Sequence, residues 1–458
     1  MRFIPHTNDD IAAMLEAIGA ASIDDLLAPV PEKLRAQAAI GLAAGLSEAQ
    51  VVAELEEMAR KNTGAFAAAN FLGFGCYRHF APAIVRAIIA RSEFATAYTP
   101  YQAEASQGTL QAIFEFQTLI TQLTGLEVAN ASMYDGASAT AEAVLMAQRL
   151  APVRRRVAVS RALWPDYRET LRTYLSGSET LELVEVAFDP AAGSTDLRQL
   201  TAMADDDLLC VVAGYPNAFG VVEPLGEIVE IAHRAGALAI AVTAEALALG
   251  LLKAPGDLGA DIAVGEGQSF GLAQSFGGPG VGFMAARMAQ VRQMPGRLVG
   301  ETRDLEGRRA FCLTLATREQ HIRRGRATSN ICTNHSLCAL AATVYLALVG
   351  RQGLRRLAER NVELAYNARE RLQAAGLRLR FSGPVFNEFT LTLPGLASRL
   401  ASAEASGILC GVALERWYPE LRDTLLVSVT EANRATEIDR LCAVLSGDED
   451  HGNRQASA

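Results

Sequence analysis

The stretch Asp257–Gly282, DLGADIAVGEGQSFGLAQSFGGPGVG, predicts a buried strand followed by a glycine-rich loop. Ile262–Val264 is a short apolar run typical of a strand in a parallel sheet. Seven glycines follow it before the stretch ends, and such a loop lets the backbone approach a ligand or a neighbouring subunit closely. Loops of this kind at the carboxyl ends of α/β strands form binding crevices. A tight structural turn would explain Gly277–Gly280 equally well, so the rest of the chain has to decide its function.

Apolar runs alternate with helical segments between residues 156 and 285, which predicts an α/β fold with a mostly parallel sheet covered by helices. The predicted strands are Val157–Val159, Leu181–Val186, Leu208–Ala213, Ala237–Val242, Ile262–Val264 and Val281–Ala285. The predicted helices lie near 164–175, 224–235 and 286–293. After an apolar helix at 335–349 and a long helix at about 351–375, a second α/β pattern predicts strands at Leu377–Phe381, Phe386–Leu393 and Leu425–Val429.

These patterns predict a helical arm, a large domain, a smaller C-terminal α/β domain and a disordered tail. Their predicted bounds are 1–62, 63–334, 335–446 and 447–458. Ser22 and Ser47 begin patterns that resemble capping boxes, which predicts short helices in the arm. The tail is rich in Asp, Gly and Asn, a composition typical of a disordered terminus.

The composition restricts the class of protein. A net charge of −9 and a pI near 5.4 argue against a nucleic-acid surface. The start of the chain has no apolar stretch of the signal-peptide type. Residues 235–252 are apolar, but Thr243 and Glu245 favour a buried strand with its following loop over a membrane span. Seven cysteines without a C-x-x-C pair predict free thiols in a reducing cytoplasm.

Several local motifs predict contacts with a ligand or a partner. Asp135 opens a helix whose hydroxyls and amide groups could form an anion site, although N-capping by Asp135 or Ser138 is the better interpretation of the motif alone. The aromatic, glycine-rich segment Phe71–Tyr77 predicts a subunit interface. Cys332, His335 and Cys338 could suggest a metal, but three scattered ligands without a fourth predict packing.

Several long motifs occur in the order found in one enzyme family. They are YTPYQAEASQG, ANASMYDGASATAEA, FGGPG, GRLVGETRDLEGRRAFCLTLATREQHIRR and ATSNICTN. On these motifs the chain, to about residue 446, resembles the glycine-cleavage P-protein family, and by its length the alpha subunit (subunit 1) of the two-subunit form. The resemblance implies the fold of pyridoxal-phosphate (PLP)-dependent transferases, fold type I, as in aspartate aminotransferase.

The resemblance also implies a subunit without the cofactor lysine. Aligning Gly277–Gly280 on the family's G-G-P-G places Gln268 at the position of that lysine, and an amide cannot form a Schiff base. Val242 stands where catalytic relatives keep an aspartate against the pyridinium nitrogen. PLP is therefore expected covalently on a beta subunit. Together the two subunits would decarboxylate glycine and transfer the aminomethyl group to the lipoyl arm of the H-protein.

Two groups of polar residues are predicted to serve the active site of the complex. The first group, expected to line the route for glycine or the lipoyl arm, is Tyr98, Thr99, Tyr101 and Gln102. The second, expected to contact the PLP phosphate of the partner subunit, is Thr328, Ser329 and Asn330, beside Arg323, Arg324 and Arg326. The alternatives are that Tyr101 is a buried interface aromatic, that Thr328 caps a helix and that the arginines are solvated.

The chain departs from the family pattern in places, and two other functions stay open. Trp164 stands where the resemblance implies histidine, and Gly325-Arg326 replaces Glu-Lys. A non-catalytic scaffold or regulatory pseudoenzyme would also explain the missing lysine. A self-sufficient PLP enzyme would need Lys253, which lies well before the glycine-rich loop and is predicted to be a surface residue.

Overall fold

The computed structural model of the chain describes residues 6–38, 41–62, 68–96, 98–331 and 333–447. The chain divides into two compact units, Met1–Thr63 and Gly64–Ala458. The predicted tail, apart from Gly447, lies outside the described residues. The division of the second unit into a large and a small domain stays a prediction.

The described residues of the first unit form short helices, all but one of which have a side-chain cap at the N-terminus. They are α1 (Asn8–Ile18), α2 (Ile23–Leu26), α3 (Glu32–Gln37) and α4 (Glu48–Ala59). Ser22 accepts a hydrogen bond from the amide of Asp25, and Ser47 from that of Gln50. In return, the side chain of Asp25 accepts from the N–H of Ser22 and that of Gln50 accepts from the N–H of Ser47. Both predicted capping boxes are therefore confirmed.

The helices of the second unit include those predicted from apolar periodicity. They are α5 (Ala83–Ile89), α6 (Ser92–Ala95), α7 (Gln107–Thr124), α8 (Gly136–Leu150), α9 (Pro165–Leu175), α10 (Leu197–Ala202), α11 (Leu225–Arg234), α12 (Gln320–Arg323), α13 (Ser336–Ala374), α14 (Leu396–Ala405) and α15 (Ala435–Ser446). Gly125 ends α7 with a φ of 68°, a left-handed conformation that glycine adopts without strain. The helix predicted near 286–293 is a 3-10 helix, Met288–Gln293.

The strands of the second unit form a large, mostly parallel sheet and three smaller ones. They are β1 (Ala69–Asn70), β2 (Val128–Ala129), β3 (Arg156–Ser160), β4 (Glu182–Val186), β5 (Leu208–Gly214), β6 (Leu238–Thr243), β7 (Ile262–Glu266), β8 (Gly282–Ala286), β9 (Leu298–Arg303), β10 (Arg309–Thr314), β11 (Arg378–Leu379), β12 (Glu388–Thr392), β13 (Ile408–Leu409), β14 (Val412–Ala413) and β15 (Thr424–Ser428).

The large sheet has the order β2-β8-β7-β6-β5-β3-β4. Its strands from β7 to β4 are parallel neighbours, and β8 runs antiparallel to both β7 and β2. A second sheet, β11-β12-β15-β14, is antiparallel. The predicted mostly parallel sheet is therefore confirmed, and all six of its predicted strands are present. The hairpin β9–β10 was not predicted, because charged side chains on its exposed face make it resemble a loop.

The apolar stretch 235–252 is part of the core, as predicted. It contains β6 and a buried 3-10 helix, Ala246–Gly250. Among the described residues, α13 is long and apolar enough to cross a membrane by length and composition alone. Nearly half of its most apolar window is buried inside the protein, and its path breaks at Gly350, where φ is 59°. A helix in the core of a protein is also apolar on most sides, because it packs against neighbouring elements on several sides.

Two aromatic rings of the segment Phe71–Tyr77, which is predicted to form a subunit interface, are covered by this chain itself. Phe71 is 0% and Tyr77 1% exposed within this chain. The segment follows β1, which pairs with β13, and Phe71 exchanges backbone hydrogen bonds with Leu409 and Ser428. The backbone of Phe71 therefore connects the segment after β1 to β15 of the antiparallel sheet, and its ring is buried there.

Candidate active-site cavity

An open cavity of about 710 Å³ lies where β7 ends and α8 begins. The side chains and backbone that line it come from the segment before α5, the start of α8, helix α9 and the glycine-rich loop. They include Gly75, Cys76, Tyr134, Asp135, Gly136, Asp166, Tyr167, Thr170, Tyr174, Glu266, Gln268, Gln274, Gly277, Gly278, Pro279, Gly280 and His335. This is the edge of an α/β sheet at which ligands are commonly bound, as the glycine-rich loop predicted.

Gln268 lines this cavity but is held by the protein itself. Its side-chain oxygen accepts a hydrogen bond from the backbone N–H of Tyr77 at 3.1 Å. Its side-chain nitrogen donates to the carbonyl of Leu272 at 2.8 Å. The residue is 7% exposed. The amide thus ties the glycine-rich loop to the segment before α5, and it has no nucleophilic nitrogen to offer a carbonyl ligand.

Val242 is fully buried in the centre of the large sheet. It lies in β6, between β5 and β7, and its exposed fraction is 0%. Its carbonyl accepts a hydrogen bond from the N–H of Tyr215 at 2.7 Å. Because its side chain is a hydrocarbon, it gives no ionic partner to a protonated ring nitrogen.

The start of α8 is capped from within the chain. The side chain of Asp135 accepts from the N–H of Ser138 at 2.7 Å, and the capping box is complete. The N–H of Gly136 donates to the carboxylate of Glu266 at 3.1 Å. N-capping, the alternative favoured by the motif, is confirmed, and the predicted anion site is taken by Glu266.

The described lining of the cavity is acidic and contains no lysine or arginine. It carries the carboxylates of Asp135, Asp166 and Glu266. Burial raises the pKa of Glu266, and hydrogen bonds from the amides of Val281 and Gly136 oppose that shift. Burial, followed by the nearby Glu266, raises the pKa of Tyr167 well above its usual range. The field in the cavity therefore disfavours anionic ligands.

Trp164 fills the space beside the cavity. It is 1% exposed, and its ring centroid lies 5.7 Å from that of Tyr167. A Cβ atom at Gly75 would lie 3.3 Å from the Trp164 indole, so the close approach of this backbone depends on a glycine whose φ is 103°. Trp164 therefore packs against two residues that line the cavity, Gly75 and Tyr167.

The residues around this cavity do not fit PLP. The three lysines of the chain, Lys33, Lys61 and Lys253, are exposed, and none of them lines the cavity. The surface position predicted for Lys253 is confirmed. Gln268 offers no amine, Val242 offers no ionic partner to a ring nitrogen, and the N–H of Gly136 already donates to Glu266.

The first predicted group lies outside this cavity. Tyr98 and Tyr101 are 81% and 46% exposed, Gln102 is exposed and Thr99 is half-buried. The hydroxyl of Tyr101 accepts from Arg297 at 2.9 Å, and the guanidinium lies 5.3 Å from the centre of the ring. His321 packs edge-on to the same ring. Within this chain Tyr101 is therefore a positioned, accessible phenol.

The second predicted group also lies outside the cavity. The hydroxyl of Ser329 donates to the buried Glu142 of α8 at 2.8 Å, and Asn330 is exposed. Thr328 is half-buried and does not cap α13, whose N-cap residue is His335. The capping alternative for Thr328 is wrong, whereas the three neighbouring arginines are exposed, as their alternative stated.

A buried ionic network was not predicted from the sequence. His79 contacts Glu245 at 2.9 Å and Glu431 at 2.8 Å, one through each ring nitrogen. The two carboxylates also accept from Asn387 and Asn361. Burial lowers the pKa of His79, but the two carboxylates and their hydrogen bonds outweigh burial and raise this pKa to about 10. Burial raises the pKa of Glu431, but the contact with His79 outweighs burial and lowers this pKa to about 2. The network joins the large sheet, α13 and the antiparallel sheet.

Groups of three or more His, Cys, Asp or Glu side chains arranged to hold a metal ion do not occur in the described part of the chain. His335 contacts the carbonyl of Gly280 at 2.7 Å through Nδ1, and Cys338 is half-buried. Cys332 lies outside the described residues. His335 thus braces the glycine-rich loop against the start of α13.

Comparison with known proteins extends these observations over the whole chain. The family model described as "Glycine cleavage system P-protein" matches residues 1–445. A protein of Anaeromyxobacter dehalogenans named "Probable glycine dehydrogenase (decarboxylating) subunit 1" is 51% identical over 434 residues, which cover 94% of this chain and 96% of the relative. A protein of the same name from Carboxydothermus hydrogenoformans is 48% identical, covering 98% of this chain and 100% of the relative.

Solved structures agree with this result. A crystal structure of glycine decarboxylase (P-protein) of the glycine cleavage system, in inhibitor-bound form, superposes with a TM-score of 0.89 at 44% identity, covering 98% of this chain and 100% of the other. A sphingosine-1-phosphate lyase of Burkholderia pseudomallei has a TM-score of 0.64 at 16% identity, covering 91% and 94% of the two chains, which is a likeness of fold alone. The predicted fold type I of PLP-dependent enzymes is confirmed.

Proposed function

Since this chain belongs to the glycine cleavage system P-protein family, we propose that it is the lysine-free subunit of a two-subunit glycine dehydrogenase (decarboxylating). The observation that carries the proposal is the state of Gln268. Its amide lines the cavity at the end of β7 and is bonded to Tyr77 and Leu272, so no amine is available there. A chain with this cavity needs a second subunit for any step that requires a reactive lysine.

The partner is the subunit that completes the enzyme. Relatives of this chain are named subunit 1, which implies a second subunit in the same system. We assign the covalent attachment of PLP to that partner, where the cofactor supplies the electron sink for decarboxylation. Glycine and the lipoyl arm of the H-protein are the proposed substrate and acceptor, and the cytoplasm is the proposed location.

Tyr98, Thr99, Tyr101 and Gln102 are proposed to line the route to the partner's active site. The exposure of Tyr98, Tyr101 and Gln102, and the position of all four residues outside this chain's own cavity, support a role at a neighbouring site. The oxygen of Tyr101 accepts a hydrogen bond from Arg297, so its own hydrogen can be donated to a carboxylate. The guanidinium also fixes the ring, which lowers the entropy that the phenol loses when it orients a small zwitterion.

Thr328, Ser329 and Asn330 are proposed to contact the phosphate of PLP on the partner. Asn330 is exposed and three arginines stand beside the loop, which raises the local positive potential. The hydroxyl of Ser329 donates to Glu142 in this chain, so we expect it to exchange that acceptor for the phosphate on assembly. The loss of one charge-assisted bond to phosphate costs about 1.5–3 kcal/mol, which is about one to two decades in affinity.

Reconstitution of the two subunits tests the proposal. This chain, its partner and the mixture would be assayed with lipoylated H-protein for release of labelled carbon dioxide from carboxyl-labelled glycine. We expect activity in the mixture alone, and borohydride to fix PLP to the partner and not to this chain. Full activity of the partner without this chain would contradict the proposal and favour a scaffold or regulatory role.

Substitutions in the two surface groups test their assigned roles in the intact complex. Thr328→Ala with Ser329→Ala should weaken retention of PLP by about one to two decades while the two subunits still assemble. Ser398→Ala with Ser402→Ala, an exposed hydroxyl pair on α14, is the matched control. Tyr101→Phe with Gln102→Ala should lower glycine decarboxylation. If both sets leave the complex unchanged, these loops are structural.

A further inference from the structure

The carboxylate of Glu266 occupies the position at which the start of α8 would bind an external anion. Its Oε2 accepts from the N–H of Gly136, the first residue of α8, at 3.1 Å. Its Oε1 accepts from the N–H groups of Val281 at 2.8 Å and Gln268 at 3.1 Å. Backbone N–H groups at a helix N-terminus are the donors that usually bind phosphate. Here an internal carboxylate accepts from one donor of this kind, the N–H of Gly136, and from two backbone N–H groups at the two ends of the glycine-rich loop.

The surroundings of Glu266 are built to hold it in this position. The residue is 8% exposed. A Cβ atom at Gly280 would lie 2.7 Å from its Oε2, so the loop can pass the carboxylate closely only where a glycine stands. At Gly136 a Cβ atom would lie 2.2 Å from the hydroxyl of Tyr167, which brings that phenol against the same helix end. The carboxylate is therefore enclosed by backbone and by one aromatic side chain.

A phosphate group would meet unfavourable charges here. The described lining carries Asp135 and Asp166 beside Glu266, and no lysine or arginine side chain. A dianion would have to displace Glu266 from three hydrogen bonds and leave that carboxylate close by without them. Both the loss of donors and the repulsion between like charges oppose its entry.

We propose that Glu266 is a specificity-determining residue that excludes phosphorylated ligands, PLP included, from this chain's own cavity. The missing lysine removes the covalent bond to the cofactor, whereas Glu266 removes the non-covalent site for its phosphate. The inference goes beyond the proposed function, because it concerns this chain's own cavity and does not depend on which subunit carries the cofactor.

The test compares PLP with pyridoxal, which has the same aldehyde but no phosphate. Gln268→Lys in the full chain supplies an amine to the cavity, and imine formation with each aldehyde is followed by absorbance and by borohydride trapping. With Glu266 present, PLP should bind no more tightly than pyridoxal. In Glu266→Gln with Gln268→Lys, the preference for PLP over pyridoxal should rise by at least about tenfold, or 1.4 kcal/mol.

Asp166→Asn with Gln268→Lys is the matched control, because it removes a cavity carboxylate that does not bond to Gly136. If the control raises the preference for PLP as much as the Glu266 variant, or if the Glu266 variant leaves it unchanged, the proposal is wrong. A measurement on the unmodified chain covers the case of variants that do not fold. Crystals soaked in inorganic phosphate should keep Glu266 on the Gly136 amide, and a phosphate bound there in its place would overturn the proposal.

These outcomes are separate from the test of the proposed function. Failure of the proposed function would appear as glycine decarboxylation without this chain, or as PLP fixed to it. Failure of the inference would appear as an unchanged preference between two aldehydes in a chain carrying an added lysine.

Discussion

Two regions of this protein hold carboxylates away from water, and they balance the negative charge differently. In the network around His79, the buried carboxylate of Glu245 and the partly buried carboxylate of Glu431 flank one imidazolium and also accept from asparagine side chains. In the cavity, Glu266 is balanced by backbone amides alone, with Asp135 and Asp166 nearby. A cationic partner makes the first region a stabilising contact between elements. Amide donors without a cation make the second a region that repels anions.

Gln268 and Tyr77 connect the two regions. Gln268 accepts from the N–H of Tyr77, whose hydroxyl donates to the buried Glu388 of β12 at 2.8 Å. Burial raises the pKa of Glu388 to about 8. The segment that contains Tyr77 continues to His79, so one short stretch of chain contacts the cavity and the network. Substitutions that act on one region and leave the other intact can therefore separate their effects on stability.

The largest expected effect is on stability and comes from His79→Leu. Removing the imidazolium leaves the buried Glu245 and the partly buried Glu431 without their cation, which should lower the free energy of unfolding by about 3–5 kcal/mol. Chemical denaturation followed by circular dichroism measures it. His233→Leu is the matched control, because His233 pairs with Asp261 at 2.8 Å but has a side chain that is 41% exposed. A loss no greater than in the control would refute the stabilising role of the network.

The pH dependence of stability should follow the same network. The pKa of His79 is raised from 6.5 to about 10, so its stabilisation is complete below pH 6.5 and is lost as the pH rises through about 10. The pKa of Glu431 is lowered from 4.5 to about 2, so its stabilisation is present above pH 4.5 and is lost as the pH falls through about 2. Unfolding free energies of the protein and of His79→Leu, measured across this range, should converge at both extremes. Parallel curves would contradict the assignment.

A smaller effect is expected from Gln268→Leu, which cuts the connection between the two regions. The N–H of Tyr77 and the carbonyl of Leu272 lose their partners, at a cost of about 1–3 kcal/mol in unfolding free energy. Gln274→Leu is the control, because the hydrogen bond from its side-chain nitrogen to the carbonyl of Cys76 is 3.3 Å long and only partly buried. Equal losses in the two variants would show that Gln268 is an ordinary loop residue.

The smallest effect is expected from Asp166→Asn in the cavity. Asp166 is exposed in the first turn of α9, where its charge favours the helix but also repels Asp135. These terms oppose each other, so the unfolding free energy should change by less than about 0.5 kcal/mol. Thermal and chemical unfolding of the variant measure it. A loss as large as that of His79→Leu would erase the difference between the two regions.

Local patterns predicted the elements around the cavity but not their contacts. The apolar run of β7 and the cap at Asp135 could be predicted because each depends on neighbours in sequence. The hairpin β9–β10 was missed, since its strands pair with each other and expose charged side chains. Composition also does not show that the chain itself covers the rings of Phe71 and Tyr77, and the interface at this segment stays a prediction.

The order of the motifs was enough to predict the family, and the glycine-rich loop was enough to single out Gln268. Both features consist of residues that are consecutive in the sequence. The tertiary structure decided how charges are paired. His79 meets Glu431 across 352 residues, and Glu266 meets Gly136 across 130. A carboxylate has the same letter in the sequence whether it pairs with a cation or takes an anion's place at a helix end. The distinction arises only when the fold brings distant donors to its two oxygens.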